Sequence, residues 1–454
     1  MSRNTYRVSK EQDISGTARR RFRPYPEYKD SGVQWLGKIP THWGTDRLKY
    51  VVTISNERSY DPESALPFKG LEHIESGTGK LLTSTEDGNG EIGEIESSSS
   101  HFRPGDILFG KLRPYLAKVL KPDFEGRCST ELIVLRCGGN IDPQNLSYQL
   151  LSSGFISWIN SMTYGTKMPR ANAEQIVNTK VPLAPLPEQH AIAKFLDRET
   201  AKIDALIAKK ERLIKLLQEK RTALITQAVT KGLDPNVPMK DSGIEWLGKI
   251  PAHWEVTTLK RIGDLQAGAG FPDEEQGLDS EDIPFFKVGD MGLAANKKEM
   301  IDCPNTISQS TARRLRAYIF PPKTIVFAKV GAALLLNRRR VLSKPSCIDN
   351  NMMGFIPAYC DSGWALYWLC GLDLGELANP GAVPSVNEGQ MRDTPVVVPL
   401  LNEQCLIAAF LDRETAKIDS LVSKVKGAIE HLKEYRTALI SAAVAGKIDV
   451  RGRA

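Results

Sequence analysis

The chain has 454 residues, 41% hydrophobic and 25% charged, with a formal net charge of +6. No run of about 18 apolar residues occurs, which argues against a membrane-spanning helix, and the polar, Arg-rich first residues lack the apolar stretch of a secretory signal. The seven cysteines (Cys128, Cys137, Cys303, Cys347, Cys360, Cys370 and Cys405) include no CxxC pair, so they read as reduced thiols in a cytoplasm, not as disulfides or zinc ligands.

Residues 1–25 hold seven Lys/Arg against two acids, so this short segment carries +5 of the total of +6. Bulk charge therefore does not establish nucleic-acid binding, and the segment is expected to be a basic, flexible N-terminal arm. A first domain follows over 26–185. It opens with KDSGVQWLGKIPTHW from Lys29, a block that returns as KDSGIEWLGKIPAHW from Lys240, at an offset of 211. Within the variable region 44–180, GDILFGKL (Gly105 to Leu112) and ELIVLRC (Glu131 to Cys137) read as buried strands, and EDGNGEIG (Glu86 to Gly93) reads as a tight turn. SYQLLSSGFISWINSM (Ser147 to Met162) reads as a helix leading into the Gly/Pro loop YGTKMPRAN (Tyr164 to Asn172).

A long helix is expected over 186–233. From Ile192, residues Leu196, Ile203, Leu206, Leu213, Leu217, Leu224 and Ala228 recur at gaps of 3, 4 or 7, a heptad-like seam. Gly232 falls where the helix should stop. A second domain over 234–400 has its own variable region, 255–395. There KTIVFAKV (Lys323 to Val330) reads as a strand, WALYWLCGLDLGEL (Trp364 to Leu377) as a helix and NPGAVPSVN (Asn379 to Asn387) as the matching loop. A second long helix closes the chain over 401–454, with Asn402 as its expected N-cap, Gly446 as its stop, and a seam through Ile407, Leu411, Ile418, Leu421, Ala428, Leu432, Leu439 and Ala443. EQHAIAKFLDRETAKIDAL from Glu188 and EQCLIAAFLDRETAKIDSL from Glu403 stand 215 residues apart.

A period above 200 residues is far longer than the roughly 20–50 of solenoid repeats, so a whole domain plus connector was duplicated. The blocks stayed alike while the middles diverged, which describes two reading heads on one frame. FLDRETAKID is identical in both helices, although seam packing needs only its apolar positions. Either the duplication is recent, or a second protein reads Arg198, Glu199 and Lys202 on one helix and Arg413, Glu414 and Lys417 on the other.

No catalytic pattern is present. Gly79-Lys80 lacks the upstream glycine of a phosphate loop, and Gly268 and Gly270 lack the third glycine of a dinucleotide site. His42 and His253 each sit beside a tryptophan in a GKIPxHW turn and read as packing residues, not bases or ligands.

The twice-repeated DSG-x-x-WLG-K-IP-x-HW, the helices opening with PLPEQ or LNEQ, and GDILF before a variable loop together resemble the specificity subunit of type I restriction–modification enzymes. The resemblance covers nearly the whole chain after residue 25. It implies a mixed α/β (α+β) fold: two globular target-recognition domains separated by two long helices that form an antiparallel coiled coil, with an internal pseudo-two-fold repeat. Heptads alone do not set the direction of pairing. It also implies a non-catalytic chain that reads a bipartite double-stranded DNA target and docks two modification (methyltransferase) subunits and restriction–translocase subunits. S-adenosylmethionine, ATP and Mg2+ would reside on those partners, with no cofactor or metal in this chain.

Loops after the GDILF-like strands are the expected DNA-binding elements. They offer Lys111, Arg113 and Tyr115 in the first domain, and Lys329, Arg338, Arg339 and Arg340 in the second. The later Gly/Pro loops add Lys167 and Arg170, matched by Ser385 and Asn387. Taken singly, each has a solvated-surface reading as well; as clusters they point to DNA. The alternative is a DNA-binding regulator without enzyme partners, against which the duplicated polar helix face speaks.

Overall fold

The computed structural model describes residues 22–59, 66–82, 99–379 and 381–452. The cations of the basic segment up to Arg21, and the turn Glu86 to Gly93, lie outside the described residues. The chain divides into two compact units, one of residues 1–211 and 425–454 and the other of residues 212–424. Each unit holds one globular domain, the start of one long helix and the end of the other.

The repeated blocks build the same frame twice. Tyr28–Asp30 pairs antiparallel with Lys38–Pro40, and Met239–Asp241 pairs with Lys249–Pro251 in the same register. The strand that enters each variable region pairs with the strand that leaves it: Gly44–Arg47 lies against Lys180–Leu183, and Glu255–Thr258 against Pro395–Val398. Each variable region is thus an insertion closed at its base by a two-stranded clasp, so its interior can change without disturbing the frame.

Inside the first variable region, Val52–Ile54, Leu132–Cys137, Ile107–Gly110 and Val119–Leu120 form a four-stranded sheet in that order. The second holds a five-stranded sheet of Gly263–Ala267, Met352–Pro357, Ile325–Ala328, Arg339–Leu342 and Glu299–Met300. Ile107–Gly110 and Ile325–Ala328 are buried at every position, which is why both read as unbroken apolar runs and not as alternating ones. The expected single helices are each two. Pro143–Leu151 and Ser153–Ser161 break at Ser152, whose extended backbone lets its hydroxyl cap the second helix at the Phe155 N–H. Ser362–Cys370 and Leu374–Leu377 break at Gly371, and Asp373 caps the shorter one.

The long helices are Leu186–Lys231 and Leu401–Val444, of 46 and 44 residues, each about 65–70 Å long. Pro187 is confined to the first turn, where its missing N–H costs no hydrogen bond. The second helix begins at Leu401, so Asn402 lies inside its first turn and is not the N-cap. Gly232 and Gly446 adopt the left-handed conformation (φ 76° and 65°) that ends each helix, as expected from their positions.

Within the first unit, Arg436 of the second helix donates to Asp204 of the first at 2.9 Å; within the second unit, Arg221 of the first helix lies 3.5 Å from Asp419 of the second. A later position on one helix meets an earlier position on the other, so the helices run antiparallel. The seam is not buried along its full length. Ile192, Leu196 and Ile203 join the core of the first domain, and Ile407 and Leu411 that of the second. Leu206, Leu213 and Leu421 are exposed. The heptad-like spacing therefore reports, near each helix start, packing on the helix's own domain.

Candidate nucleic-acid interface

Four polar residues in the first part of each long helix fix a domain in place. The buried carboxylate of Glu188 accepts from the Tyr25 hydroxyl at 2.5 Å, the Trp43 indole at 3.1 Å and the His42 imidazole at 2.9 Å. Glu403 accepts from Trp254 at 3.0 Å and His253 at 2.9 Å. His42 and His253 pack against the rings of Tyr25 and Trp254, as expected, and are also hydrogen-bond donors to the helix start. Gln189 accepts from the Asp142 N–H at 2.8 Å, and Gln404 from the Asp361 N–H at 2.8 Å; both aspartates cap a domain helix. Further along, Asp197 and Thr200 face the Tyr148 hydroxyl at 2.7 and 3.3 Å, and Asp412 and Thr415 face Tyr367 at 2.6 and 3.1 Å. Burial pushes the Tyr148 phenol up to about 12.

Phe22 and Tyr25 are buried, and Phe22 stacks edge-on against Phe195, so these two residues of the expected arm belong to the first unit's core. The frame is also held by a lysine from the opposite helix's end. Lys231 donates to the carbonyls of Leu247 and Lys249, and Lys447 to those of Leu36 and Lys38, the equivalent oxygens. The sequence reads Lys-Gly at the end of the first helix and Gly-Lys at the end of the second, yet the ammonium reaches the same place.

On this frame each domain presents a platform of two stitched loops. In the first, the Arg113 N–H donates to the Pro169 carbonyl at 2.7 Å, the Ala171 N–H to that of Lys111 at 3.0 Å, and the Lys111 N–H to that of Glu131 at 2.9 Å. Leu112 and Tyr164 both bridge to Arg170. In the second, the Gly331 N–H donates to the Pro384 carbonyl at 2.8 Å, the Val386 N–H to that of Lys329 at 2.9 Å, and the Lys329 N–H to that of Asn351 at 2.9 Å. Val330 and Asn379 both bridge to Ser385. Backbone bonds alone match the loops, leaving the side chains free to differ.

The platform side chains do differ. Lys111 and Arg113 are half-buried, and Tyr115 and Lys167 are exposed. Arg170 pairs with Glu131, which pushes its guanidinium pKa up. In the second domain Lys329 is half-buried, Arg338 is exposed and Asn387 caps the short helix Glu388–Asp393. Arg339 is fully packed: its guanidinium donates to the Leu372 carbonyl at 2.7 Å and to Asn337 at 3.0 Å, and burial pushes its pKa down. Arg340 donates to the carbonyls of Asn296 and Met291. The expected basic loop over 338–340 is instead the start of the strand Arg339–Leu342, whose register with Ile325–Ala328 assigns Arg339 and Arg340 to internal contacts. Sequence reasoning missed the exposed apolar groups on the same loops, Tyr164 and Met168 in one domain and Leu335, Leu336 and Val383 in the other.

Arg198, Glu199 and Lys202 form one self-paired string, with Glu199 accepting from Arg198 at 3.2 Å and Lys202 at 2.8 Å. Arg413, Glu414 and Lys417 repeat it at 3.0 and 2.9 Å. In both copies the arginine also lies over a phenylalanine ring, of Phe195 or Phe410. Among the described residues, no cluster of His, Cys, Asp and Glu could hold a metal ion, and no helix is long and apolar enough to cross a membrane.

Residues 40–216 and 251–431 match the family model described as the type I restriction modification DNA specificity domain. The EcoDI type I restriction enzyme specificity subunit of Escherichia coli is 30% identical over 194 residues, an alignment that spans 40% of this chain and less than half (41%) of that protein. The StySPI specificity subunit of Salmonella potsdam is 20% identical over 92% of both chains, and the MjaVIII specificity subunit of Methanocaldococcus jannaschii is 24% identical over 65% of this chain and 68% of that one. A chain solved in a study of the assembly and conformational transition of the type I R-M system shares the fold, with a TM-score of 0.64 at 21% identity over 89% of this chain and 98% of that one. With the family model matching most of each half, this chain belongs to the type I restriction–modification DNA specificity family.

Proposed function

We propose that this chain reads a split double-stranded DNA sequence, one half with each platform, and that methylation and cleavage are carried out by subunits docked on it. The observation that carries this reading is the repeated platform: one backbone scaffold, bonded in the same way twice, bearing different side chains. Base-edge contacts specify sequence, and phosphate contacts fix register without reading it. On the first platform Lys111, Arg113, Tyr115 and Lys167 face this task, with Arg170 held beside them by Glu131. On the second, Lys329, Arg338 and Asn387 do so, while Arg339 and Arg340 brace the sheet.

The partners are two modification subunits and the restriction–translocase subunits, with S-adenosylmethionine, ATP and Mg2+ bound by those partners in the cytoplasm. The two identical Arg–Glu–Lys strings support docking, because Asp197, Thr200 and Asp204 of the same repeated block bond to residues outside it, whereas the strings pair within the block. The test replaces residues 44–180 with the equivalent domain of a relative and maps methylated bases in cells carrying the whole system. One half-site should change and the other persist; a simultaneous change in both defeats the two-head reading.

A further inference from the structure

Arg113 occupies an uncommon backbone conformation for its residue type. Its φ of 49° and ψ of 61° are left-handed, a region where a side chain's Cβ crowds the following carbonyl and where glycine is at ease. The equivalent position of the second platform is Gly331, at φ 75°, with its N–H bonded to the corresponding proline carbonyl. The same loop is therefore built with glycine in the sister domain, and the first domain bears the strain of an arginine there. Strain of this kind persists where surrounding structure enforces it, and it gathers at functional positions.

The enforcement is visible. Arg113 is held by its own N–H on the Pro169 carbonyl, by its carbonyl accepting from Leu116 at 2.9 Å, and by the Leu112–Arg170 bridge beside it. Pro114 is buried immediately after it, and Lys118 ties the far end of the loop to the carbonyls of Leu71 and Ile74 at 2.6 and 3.0 Å. The guanidinium itself has no hydrogen-bond or ion-pair partner among the described residues, whereas that of the other platform arginine, Arg170, is taken by Glu131. A rigidly based, planar, five-donor fork with no internal partner suits recognition of the paired O6 and N7 acceptors of guanine in the major groove. Lys111 and Lys167 on the same platform provide compact charges suited to phosphates.

We infer that Arg113 is the residue with which the first domain reads a guanine in its half-site. The inference rests on the DNA-reading function proposed above. The test uses the complete complex with its partner subunits and sequencing of methylated DNA, for the natural chain, Arg113→Gly and Arg113→Lys. Arg113→Gly copies the sister loop and removes the strain, so the first unit should fold with unchanged or higher protection in amide hydrogen exchange. Its motif should lose the guanine requirement at one position of one half-site, with discrimination there falling about ten- to hundred-fold, and the other half-site should stay as it was. Arg113→Lys should also relax that position, because an ammonium lacks the fork, while keeping the salt dependence of binding. Uniformly weaker methylation of all sequences by Arg113→Gly, with the motif intact, would identify a phosphate contact and overturn the inference, as would an unaltered motif in both variants. A natural complex that methylates no bipartite motif would instead remove the underlying reading.

Discussion

Glu188→Ala should loosen the first frame far more than Glu403→Ala loosens the second, although the two glutamates are repeat equivalents. Glu188 serves three donors, and two of them, the Tyr25 hydroxyl and the Trp43 indole, belong to residues only 2% and 1% exposed. Removing the carboxylate strands both donors away from water, at about 1–3 kcal/mol each. The His42 contact adds little, because that imidazole is 40% exposed and water replaces the lost acceptor. The total is about 2–6 kcal/mol for Glu188→Ala. Glu403 has no tyrosine partner among the described residues, and its own side chain is 25% exposed, so its loss strands the Trp254 indole, at about 1–2 kcal/mol.

Two units that can open separately make a single melting temperature a poor measure. Amide hydrogen exchange followed by peptide reads each frame in one experiment. In Glu188→Ala, protection over residues 28–47 should fall at least about thirty-fold while residues 239–258 keep theirs; in Glu403→Ala the second frame should change by no more than about thirty-fold. Tyr25→Phe should reproduce part of the Glu188 effect. Equal losses in the two glutamate variants, or less than a three-fold change over residues 28–47 in Glu188→Ala, would refute the view that this carboxylate pins the frame to the helix.

Arg339→Ala should destabilise the second unit in denaturant unfolding, because its bonds to Leu372 and Asn337 are buried, whereas Arg338→Ala should leave stability unchanged and weaken DNA binding with a shallower salt dependence. Hydrogen bonds from Arg136 and His101 pull Glu57 from 4.5 down to about 2. A depressed carboxylate stabilises the fold above its unfolded pKa and loses that contribution as pH falls toward its folded one, so acid titration should show the first unit weakening between about pH 4.5 and 2. Glu57→Gln should flatten that stretch of the curve; parallel curves would contradict the assignment. Finally, the Asp449 N–H donates to the Arg23 carbonyl at 2.8 Å, so a permuted chain that joins residue 452 to Phe22 through a short linker and opens near Pro235 should retain DNA binding with its partners. Loss of folding in that permutant would show that the natural order of the halves matters.

The sequence alone determined the duplication, the two long helices and their glycine stops, the buried strands and the paired Gly/Pro loops. Each of these is written in local periodicity, in turn residues or in direct repetition. It also pointed to the two loops that backbone bonds stitch together in each domain, because a loop between a buried strand and a frame element has few places to go. Tertiary structure decided what depends on partners distant in the chain. Heptad spacing is the same for parallel and antiparallel helices, and the direction came from Asp204 meeting Arg436 and Arg221 lying near Asp419. The three-arginine run looked like one basic loop, yet strand register turned Arg339 into the interior and gave Arg340 carbonyls to hold. The Glu-Gln pair at each helix start holds a histidine, a tryptophan and a helix cap contributed from 43 to 150 residues away. A side chain's identity fixes what it can bond to; only the packed fold fixes which of those partners it meets.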